Sequence, residues 1–309
     1  MVCFNLADDL LDCPLGRLKV ESRPQTCQGG IPFGFRLFQA TPSWQRPWHG
    51  ADLRDPAMCD RLEFDRFDQV WLPVIDYLAW DSQAFGIKIG RIYASDAAGL
   101  DATLARAKQQ SYRLLYLFAT MPIDLSTTSQ IRSLDVGGQV TYCKQLGDAP
   151  SALRKDCESS GVLLYPHLDP SEPLLRLAML SGHLSRFRVD PGLPAGSFEH
   201  LYERWLRNNL ENKDSCRVYI VGSTQDPEGL LTATWKQDCG TIDLLAVRSD
   251  VQGRGIGSRL IDSAEQETMR RGLKTLLVKT QMVNEVAKHT YGRKGFIMIE
   301  AFYVYHVYL

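Results

Sequence analysis

A glycine-rich segment follows an apolar stretch in the last third of the sequence. It reads Gln252-Gly253-Arg254-Gly255-Ile256-Gly257-Ser258, and the pattern around it predicts a strand before the segment and a helix after it. Unpaired backbone N–H groups at a helix N-terminus carry positive partial charge, so they bind phosphate where no side chain blocks the approach. Glycines at alternate positions clear that approach. The pattern therefore favours a phosphate-binding loop over a plain tight turn.

The segment differs from two common nucleotide-binding motifs. The dinucleotide fingerprint requires a glycine where Ser258 stands, and it belongs at the first turn of a parallel sheet. The loop of nucleoside triphosphatases requires a Gly-Lys-Ser/Thr sequence, which is absent here. Neither a dinucleotide nor a hydrolysed triphosphate is therefore the expected ligand.

The segment resembles the pyrophosphate loop of the GCN5-related N-acetyltransferase (GNAT) family, whose pattern is Gln/Arg-x-x-Gly-x-Gly/Ala. Downstream, Asn284, Ala287, Tyr291 and Gly295-Phe296 resemble that family's Asn-x-x-Ala-x-x-x-Tyr-x-x-x-Gly-Phe sequence. The resemblance covers about residues 170–309 and implies acetyl-CoA as the co-substrate. It places the pyrophosphate on the amides of the loop and the pantetheine beside the preceding strand. The residues implied to bind acetyl-CoA are Leu245, Ala246, Val247, Gln252, Gly253, Arg254, Gly255, Ile256, Gly257, Ser258, Asn284, Ala287 and Tyr291.

Acetyl transfer to an amine requires a neutral amine, a polarised thioester carbonyl and a proton for the departing thiolate. Tyr291 is the candidate acid, since a phenol with a pKa near 10 can protonate a thiolate; its alternative role is core packing. Asp243 stands where many family members carry a carboxylate that deprotonates the amine through water; the alternative is an exposed strand residue. A backbone N–H near Ala246 or Val247 is expected to polarise the carbonyl. Asn284 is also placed to cap the next helix.

A narrower resemblance concerns the acceptor. Residues 80–86 with 90–92, and Ser185–Arg188 with the aromatic residues after it, resemble dTDP-fucosamine acetyltransferases. Those enzymes acetylate the amine of a nucleotide-linked 4-amino-4,6-dideoxy sugar, and they place a partial acetyltransferase-like unit before the full one. Ala84 departs from the pattern, which has an aromatic residue there.

The narrower resemblance implies that Arg186, Phe187, Arg188 and Tyr202 bind a nucleotide-activated amino sugar. The guanidinium groups of the two arginines match the geometry of phosphate. The alternative for these arginines is the solvated end of a helix. His183 and His289 lie on predicted helices without the carboxylate or histidine neighbours that a metal site needs, so no metal is expected.

The elements that must position these residues combine helices and strands in one fold of the α/β (α+β) class. We predict a GNAT fold, in which helices flank a mixed, mostly antiparallel sheet of about seven strands in the C-terminal domain. Periodicity and turn signals set the bounds of each element. The predicted strands are Val70–Leu78, Ile87–Tyr93, Leu114–Phe118, Val140–Leu146, Arg217–Val221, Leu230–Lys236, Thr241–Val247, Thr275–Thr280 and Phe296–Tyr308. The predicted helices are Asp96–Ser111, Leu174–Phe187, Phe198–Leu210, Ile256–Arg271 and Glu285–Arg293, and a loop is predicted over residues 80–86.

Three segments follow from this pattern. Residues 1–69 are rich in turn formers and are predicted to be an irregular extension. Residues 70–150 are predicted to form a smaller, partial GNAT-like unit, and residues 151–309 the GNAT acetyltransferase domain.

Composition excludes several classes of protein. Of 309 residues, 35 are Lys or Arg and 36 are Asp or Glu, so the basic surplus typical of nucleic-acid binding is missing. No stretch reaches the roughly 18 apolar residues of a membrane span. The eight cysteines contain no Cys-x-x-Cys pair, and the first residues lack the basic part of a secretory signal. We therefore expect a cytoplasmic protein with reduced thiols.

The sequence thus predicts an acetyl-CoA-dependent N-acetyltransferase that acts on a small-molecule primary amine. The expected acceptor is a nucleotide sugar for polysaccharide biosynthesis, with no nucleic-acid or membrane partner, and a homodimer is one possible assembly. One alternative keeps the fold but acetylates a peptide N-terminus, a polyamine or an antibiotic. Another is a non-catalytic acyl-CoA-binding regulatory module.

Overall fold

The computed structural model describes residues 64–67, 70–94, 99–126, 132–147, 161–236 and 238–309. All but the last few residues of the predicted extension over 1–69 lie outside this part of the chain. The described residues contain twelve strands and seven helices. The strands are β1 Phe64–Phe67, β2 Val70–Pro73, β3 Asp76–Tyr77, β4 Ile89–Ala94, β5 Leu114–Ala119, β6 Arg132–Gln145, β7 Val162–Leu164, β8 Cys216–Gly222, β9 Pro227–Lys236, β10 Cys239–Val247, β11 Thr275–Gln281 and β12 Ile297–Tyr308. The helices are α1 Ala79–Phe85, α2 Leu100–Gln109, α3 Glu172–Ser181, α4 Arg186–Val189, α5 Ser197–Glu211, α6 Ile256–Arg270 and α7 Glu285–Arg293.

Ten of the described strands form one sheet in the order β3-β4-β5-β12-β6-β11-β10-β9-β8-β7, and β1 and β2 form a separate hairpin. Neighbouring strands of the large sheet are antiparallel except for the pairs β4–β5 and β10–β11, which are parallel. The predicted mixed, mostly antiparallel sheet is confirmed. Strands from both predicted units therefore share one hydrogen-bonded sheet.

Strand β6 joins the two halves of the sheet. Residues 139–145 pair with β11 on one side, and residues 132–143 pair with β12 on the other. Because β6 belongs to the predicted N-terminal unit, that unit supplies a central strand to the sheet of the C-terminal unit. The boundaries at residues 69/70 and 150/151 stay predictions.

Helices cover both faces of the sheet. Along β8, Val218 and Ile220 pack on the core beneath α3 and α5, whereas Tyr219 and Val221 pack on the core beneath α6. Successive side chains of a strand point to opposite faces. The continuous apolar runs of the central strands are therefore explained by burial on both faces.

Three predicted elements were wrong. The single strand expected over Val70–Leu78 is two short strands, β2 and β3, which belong to different sheets. Residues 80–86 were expected to form a loop, but they contain helix α1, which buries Trp80 and Phe85 and ends at Gly86 with φ of 67°. The helix expected over 174–187 ends at Ser181. Gly182 then packs on the ring of Tyr202, where an added Cβ would lie 2.0 Å from the ring carbon Cζ. Gly182 is the C-cap of α3, and the short helix α4 begins four residues later at Arg186.

Helix α6 is fixed to the sheet by a buried hydrogen bond between side chains. The indole Nε1–H of Trp235 in β9 donates to Thr268 Oγ1 at 2.8 Å, and the same hydroxyl donates to the Ala264 carbonyl oxygen at 2.7 Å. Thr268 is fully buried. This contact sets where the helix that follows the glycine loop lies against β9 and β10.

Thr268→Val keeps the side-chain shape but leaves the buried Trp235 N–H without an acceptor. We expect the free energy of unfolding to fall by about 1–3 kcal/mol, the usual penalty for an unsatisfied buried donor. Urea denaturation of the full chain measures the change. Thr268→Ser, which keeps the hydroxyl, is the matched control and should retain most of the stability. Equal denaturation midpoints for the two variants would contradict this role.

Candidate active site

A cleft opens where two parallel strands separate. Strands β10 and β11 pair only from Gly240 with Leu276 to Ile242 with Val278. Beyond these residues β10 continues to Val247 beside β9 alone, and β11 continues beside β6 alone. A cavity of about 810 Å³ lies here and is lined by residues of both strands. The divergence therefore creates room for a ligand within an otherwise continuous sheet.

The glycine loop forms part of the cavity wall. A 3₁₀ turn at Ser249–Val251 follows β10, and Gln252 Nε2 donates to the Val247 carbonyl oxygen at 3.1 Å, which closes the loop. Gly253 and Gly255 have φ of 78° and 74°, and a Cβ on either would meet no heavy atom within 4 Å. This left-handed backbone favours glycine, and it leaves open space above the loop.

Helix α6 begins immediately after Gly255, its N-cap residue. Gly255, Ile256, Gly257 and Ser258 all line the cavity. The first N–H groups of a helix have no partner within it, so this turn offers donors and positive partial charge to an anion in the cavity. The loop and helix therefore fit the pyrophosphate of a coenzyme.

Most of the residues predicted to bind acetyl-CoA meet at this one cavity. Those on its wall are Leu245, Ala246, Val247, Gln252, Gly253, Gly255, Ile256, Gly257, Ser258, Asn284, Ala287 and Tyr291. Arg254 is not part of the lining. Asn284 caps α7 by accepting a hydrogen bond from the Ala287 N–H at 3.1 Å, so its predicted capping role is confirmed. Its contact with the co-substrate stays a prediction.

Asp243 occupies an irregular position in β10. The pairing register between β9 and β10 shifts between Ile242 and Leu244, so Asp243 lies at a β-bulge. It is partly buried and lines the cavity. Its Oδ2 atom accepts hydrogen bonds from Thr234 Oγ1 at 2.6 Å and from Asn209 Nδ2 at 3.3 Å.

Burial raises the pKa of Asp243 to about 7, although these two hydrogen bonds and the charge of Lys236 oppose the rise. A carboxyl group with this pKa can accept a proton near neutral pH.

Tyr291 lies on the same cavity and is buried. Its ring packs between Tyr142 of β6 and Phe296, at centroid distances of 5.9 and 5.8 Å. Burial raises the pKa of Tyr291 above its ordinary value, so the hydroxyl stays protonated through the neutral range. The packing role and the proton-donor role are compatible, because the ring and the hydroxyl are different parts of the side chain.

Arg186 lines the same cavity, and three aromatic rings lie around its guanidinium. Its guanidinium lies 4.5, 4.8 and 5.7 Å from the ring centroids of Phe187, Tyr116 and Phe118. Its Nη1 atom is 3.5 Å from Gln139 Oε1 of β6. Cation–π contacts of this kind hold a guanidinium in place and leave its charge intact.

Two of the other three predicted acceptor residues line the cavity, and the third does not. Phe187 and Tyr202 line the cavity with Arg186, and burial raises the pKa of Tyr202. Arg188 is not part of the lining. It is exposed, and its Nη1 atom lies 2.9 Å from Glu199 Oε1 in an ion pair.

Several lining residues were missed by sequence reasoning. They include Asp81 of α1, Trp205 of α5 and four residues of β6, which are Val136, Gly137, Gly138 and Gln139. The Gly137-Gly138 pair was a usable signal, since adjacent glycines within a strand indicate a bulge or a close backbone approach. Gly137 has φ of 89°, and Gly138 packs directly on Met282. Nothing local in the sequence indicated that this strand lies beside β11.

Comparison with known proteins identifies part of the chain. Residues 183–296 match the model of the acetyltransferase (GNAT) family. This region belongs to the GNAT family of acetyltransferases. Acetyl-CoA is the co-substrate of that family, and the GNAT region contains the glycine loop, Asp243 and Tyr291.

One relative of the chain is the spore coat polysaccharide biosynthesis protein SpsD of Bacillus subtilis (strain 168). It is 26% identical over 142 residues, which are 46% of this chain and 49% of the relative. The chain thus matches about half the length of that relative.

Solved structures with similar backbones include a functionally unknown conserved protein from Staphylococcus epidermidis. That protein has 15% identity and a TM-score of 0.47, with 80% of this chain and 94% of the other covered. A tandem GNAT protein from the clavulanic acid biosynthesis pathway has 10% identity and a TM-score of 0.44, with 78% and 80% covered.

Two further properties concern the described residues only. In that part of the chain, no group of three or more His, Cys, Asp or Glu side chains is placed to hold a metal ion. No helix there is long and apolar enough to cross a membrane.

Gly255→Val should weaken CoA binding at least tenfold, because the side chain would project into the open space above the loop. Gly196→Val is the matched control. Gly196 is also a helix N-cap, has φ of 78°, has no heavy atom within 4 Å of an added Cβ, and lies outside the cavity lining. Both variants should lose a similar amount of stability, about 1–2 kcal/mol from the left-handed backbone. Isothermal calorimetry with CoA measures the difference. An unchanged Kd for Gly255→Val would refute the loop assignment.

Proposed function

We propose that this protein transfers an acetyl group from acetyl-CoA to the primary amine of a nucleotide-activated amino sugar, without a covalent acetyl-enzyme intermediate. The observation that carries the proposal is that one cavity is lined by the glycine loop, by Tyr291 and Asp243, and by Arg186 with Phe187. A donor site, proton-transfer groups and an acceptor site thus share one space. Holding two substrates together lowers the barrier by several kcal/mol.

The loop and α6 bind the pyrophosphate of acetyl-CoA, and the unpaired part of β10 lies beside the pantetheine. In this arrangement a backbone N–H near Ala246 or Val247 polarises the thioester carbonyl. The acceptor amine attacks the carbonyl carbon, so a C–N bond forms and the C–S bond breaks. Asp243 takes one amine proton, directly or through a water molecule. Tyr291 gives its hydroxyl proton to the departing thiolate and is reprotonated from solvent.

The acceptor assignment rests on Arg186. A guanidinium matches the geometry of phosphate, and it remains charged at every physiological pH. Gln139, Phe187 and Tyr202 add a hydrogen-bonding group and flat apolar surfaces. The name of SpsD connects that relative with polysaccharide biosynthesis, which agrees with an acceptor of this chemistry. The narrower resemblance to dTDP-fucosamine acetyltransferases supports a 4-amino-4,6-dideoxyhexose.

The predicted division of the chain fits this proposal. Residues 70–150 act as the partial GNAT-like unit, which adds Asp81 and Gln139 to the wall around the acceptor. Residues 151–309 act as the acetyltransferase domain, which holds the donor. We further propose that the reaction takes place in the cytoplasm.

Tyr291→Phe removes one hydroxyl and preserves the ring that packs against Tyr142 and Phe296. We expect kcat to fall by roughly 10²–10⁴, the usual contribution of a positioned general acid. KM for acetyl-CoA should change little, because the interaction belongs to the transition state. Steady-state kinetics with free-thiol detection measures both. A kcat within about twofold of wild type, with chemistry rate-limiting, would assign Tyr291 to packing alone.

A dTDP-linked 4-amino-4,6-dideoxyhexose should be acetylated with a higher kcat/KM than the same free sugar. Arg186→Leu should lower the ratio of kcat/KM for the linked sugar to kcat/KM for the free sugar by about 10- to 100-fold, the contribution of a charge-assisted hydrogen bond. Arg188→Leu is the matched comparison, since Arg188 is paired with Glu199 outside the cavity lining. Equal kcat/KM for linked and free sugars would exclude the nucleotide and favour a small-amine acceptor. If Arg186→Leu and Arg188→Leu lowered this ratio equally, the result would show that Arg188 also contributes to acceptor binding.

A further inference from the structure

A cluster of polar side chains is buried behind Asp243, on the side of β10 that faces α5. Thr234 of β9 and Asn209 of α5 both donate to the same carboxylate oxygen, Oδ2, at 2.6 and 3.3 Å. Cys216 Sγ of β8 lies 3.3 Å from Thr234 Oγ1. The thiol can therefore donate to the threonine while the threonine donates to the carboxylate. Side chains from β9 and α5 thus meet at one oxygen of the proposed base, and β8 contacts it through Thr234.

The backbone places these groups without freedom to adjust. Thr234 pairs with Thr241 across the β9–β10 ladder, and the bulge at Asp243 follows within two residues. Asp243 is two residues beyond Thr241, so its side chain lies on the same face of the sheet as that of Thr234, and the short hydrogen bond holds the carboxylate there.

Asn209 is a buried amide within a helix interior, only 6% exposed. Tyr202, Trp205 and Asn209 lie on one face of α5, three to four residues apart, and the first two line the cavity. A buried amide is costly unless it is hydrogen-bonded. Its partner here is Asp243. The helix that forms part of the acceptor wall therefore also holds the proposed base.

We propose that Asn209 and Thr234 are positioning residues for Asp243, holding Oδ2 so that Oδ1 is the atom that receives the proton from the acceptor. This inference rests on the proposed function, in which Asp243 is the base. The two donors act through Asp243 and do not contact the substrate. They fix which oxygen is available and how readily it accepts a proton.

The charged and titratable groups around the carboxylate determine the direction of the pH effect. The charge of Lys236 from β9 lowers the pKa of Asp243. Cys216 from β8 faces the same cluster; the charge of Asp243 raises the pKa of its thiol, and that of Arg271 lowers it. Burial raises the pKa of Asp243 to about 7, and the Thr234 and Asn209 hydrogen bonds restrain that rise. Loss of either donor destabilises the carboxylate, so the pKa increases further. The base then becomes protonated at a higher pH, and activity is lost earlier as the pH falls.

The experiment compares Thr234→Val with Thr234→Ser, and Asn209→Ala with Asn208→Ala. Serine keeps the hydroxyl, and Asn208 is the neighbouring residue, which takes no part in the Asp243 cluster. The readouts are the ¹³C NMR titration of the Asp243 carboxyl in the full chain, assigned with Asp243→Asn, and the pH profile of kcat/KM. Both midpoints should rise by roughly one pH unit in Thr234→Val and Asn209→Ala, the shift expected from one hydrogen bond to a charged group. Thr234→Ser and Asn208→Ala should titrate as wild type.

The outcomes separate this inference from the proposed function. If Asp243→Asn is inactive but the midpoints of Thr234→Val and Asn209→Ala stay within about 0.2 units of wild type, the positioning role is overturned and the base role stands. If Asp243→Asn keeps the wild-type kcat, the base role and the positioning role both fall. If Asn209→Ala does not fold, the near-isosteric Thr234→Val pair decides, since it removes only the shorter hydrogen bond.

Discussion

The site depends on the limited pairing between β10 and β11. Each strand is held along its length by another neighbour, β10 by β9 and β11 by β6, so the two strands can separate after three residue pairs without losing support. Their free backbone edges then face the cavity. The separation also opens a path to the N-terminus of α6. A continuous ladder between β10 and β11 would fill this space with hydrogen-bonded backbone and block the approach to the glycine loop.

Strand β6 ties the two halves of the chain to this cleft. It supports β11 by pairing with it, and its Tyr142 packs against Tyr291 while its Gln139 contacts Arg186. The strand therefore contributes both to the proposed acid and to the proposed acceptor wall. Lys144 near its end forms an ion pair with Glu265 of α6 at 2.6 Å. The predicted N-terminal unit thus contributes to the site through β6 and through Asp81 of α1, although the family match begins only at residue 183.

Burial gives the two proposed proton-transfer groups complementary states at neutral pH. Desolvation raises the pKa of Asp243 to about 7, so the carboxyl is balanced between its two forms. Desolvation also raises the pKa of Tyr291, so the phenol keeps its proton. Hydrogen bonds from Thr234 and Asn209 limit the rise of the Asp243 pKa, so part of the carboxyl population stays ionised and able to act as a base. One group can accept a proton while the other can supply one.

The sequence by itself determined the local parts of the site. The glycine spacing of residues 252–258 indicated a strand, a turn and a helix, because only glycine adopts the left-handed backbone at Gly253 and Gly255 easily. The role of Asn284 as a cap for α7 followed from an equally local rule. Tertiary structure decided the rest. The position of β6 beside β11, the bulge at Asp243 and the distinct environments of Arg186 and Arg188 depend on contacts between segments far apart in the chain. Periodicity and motif spacing describe neighbours along the backbone only, so they carried no information about these contacts.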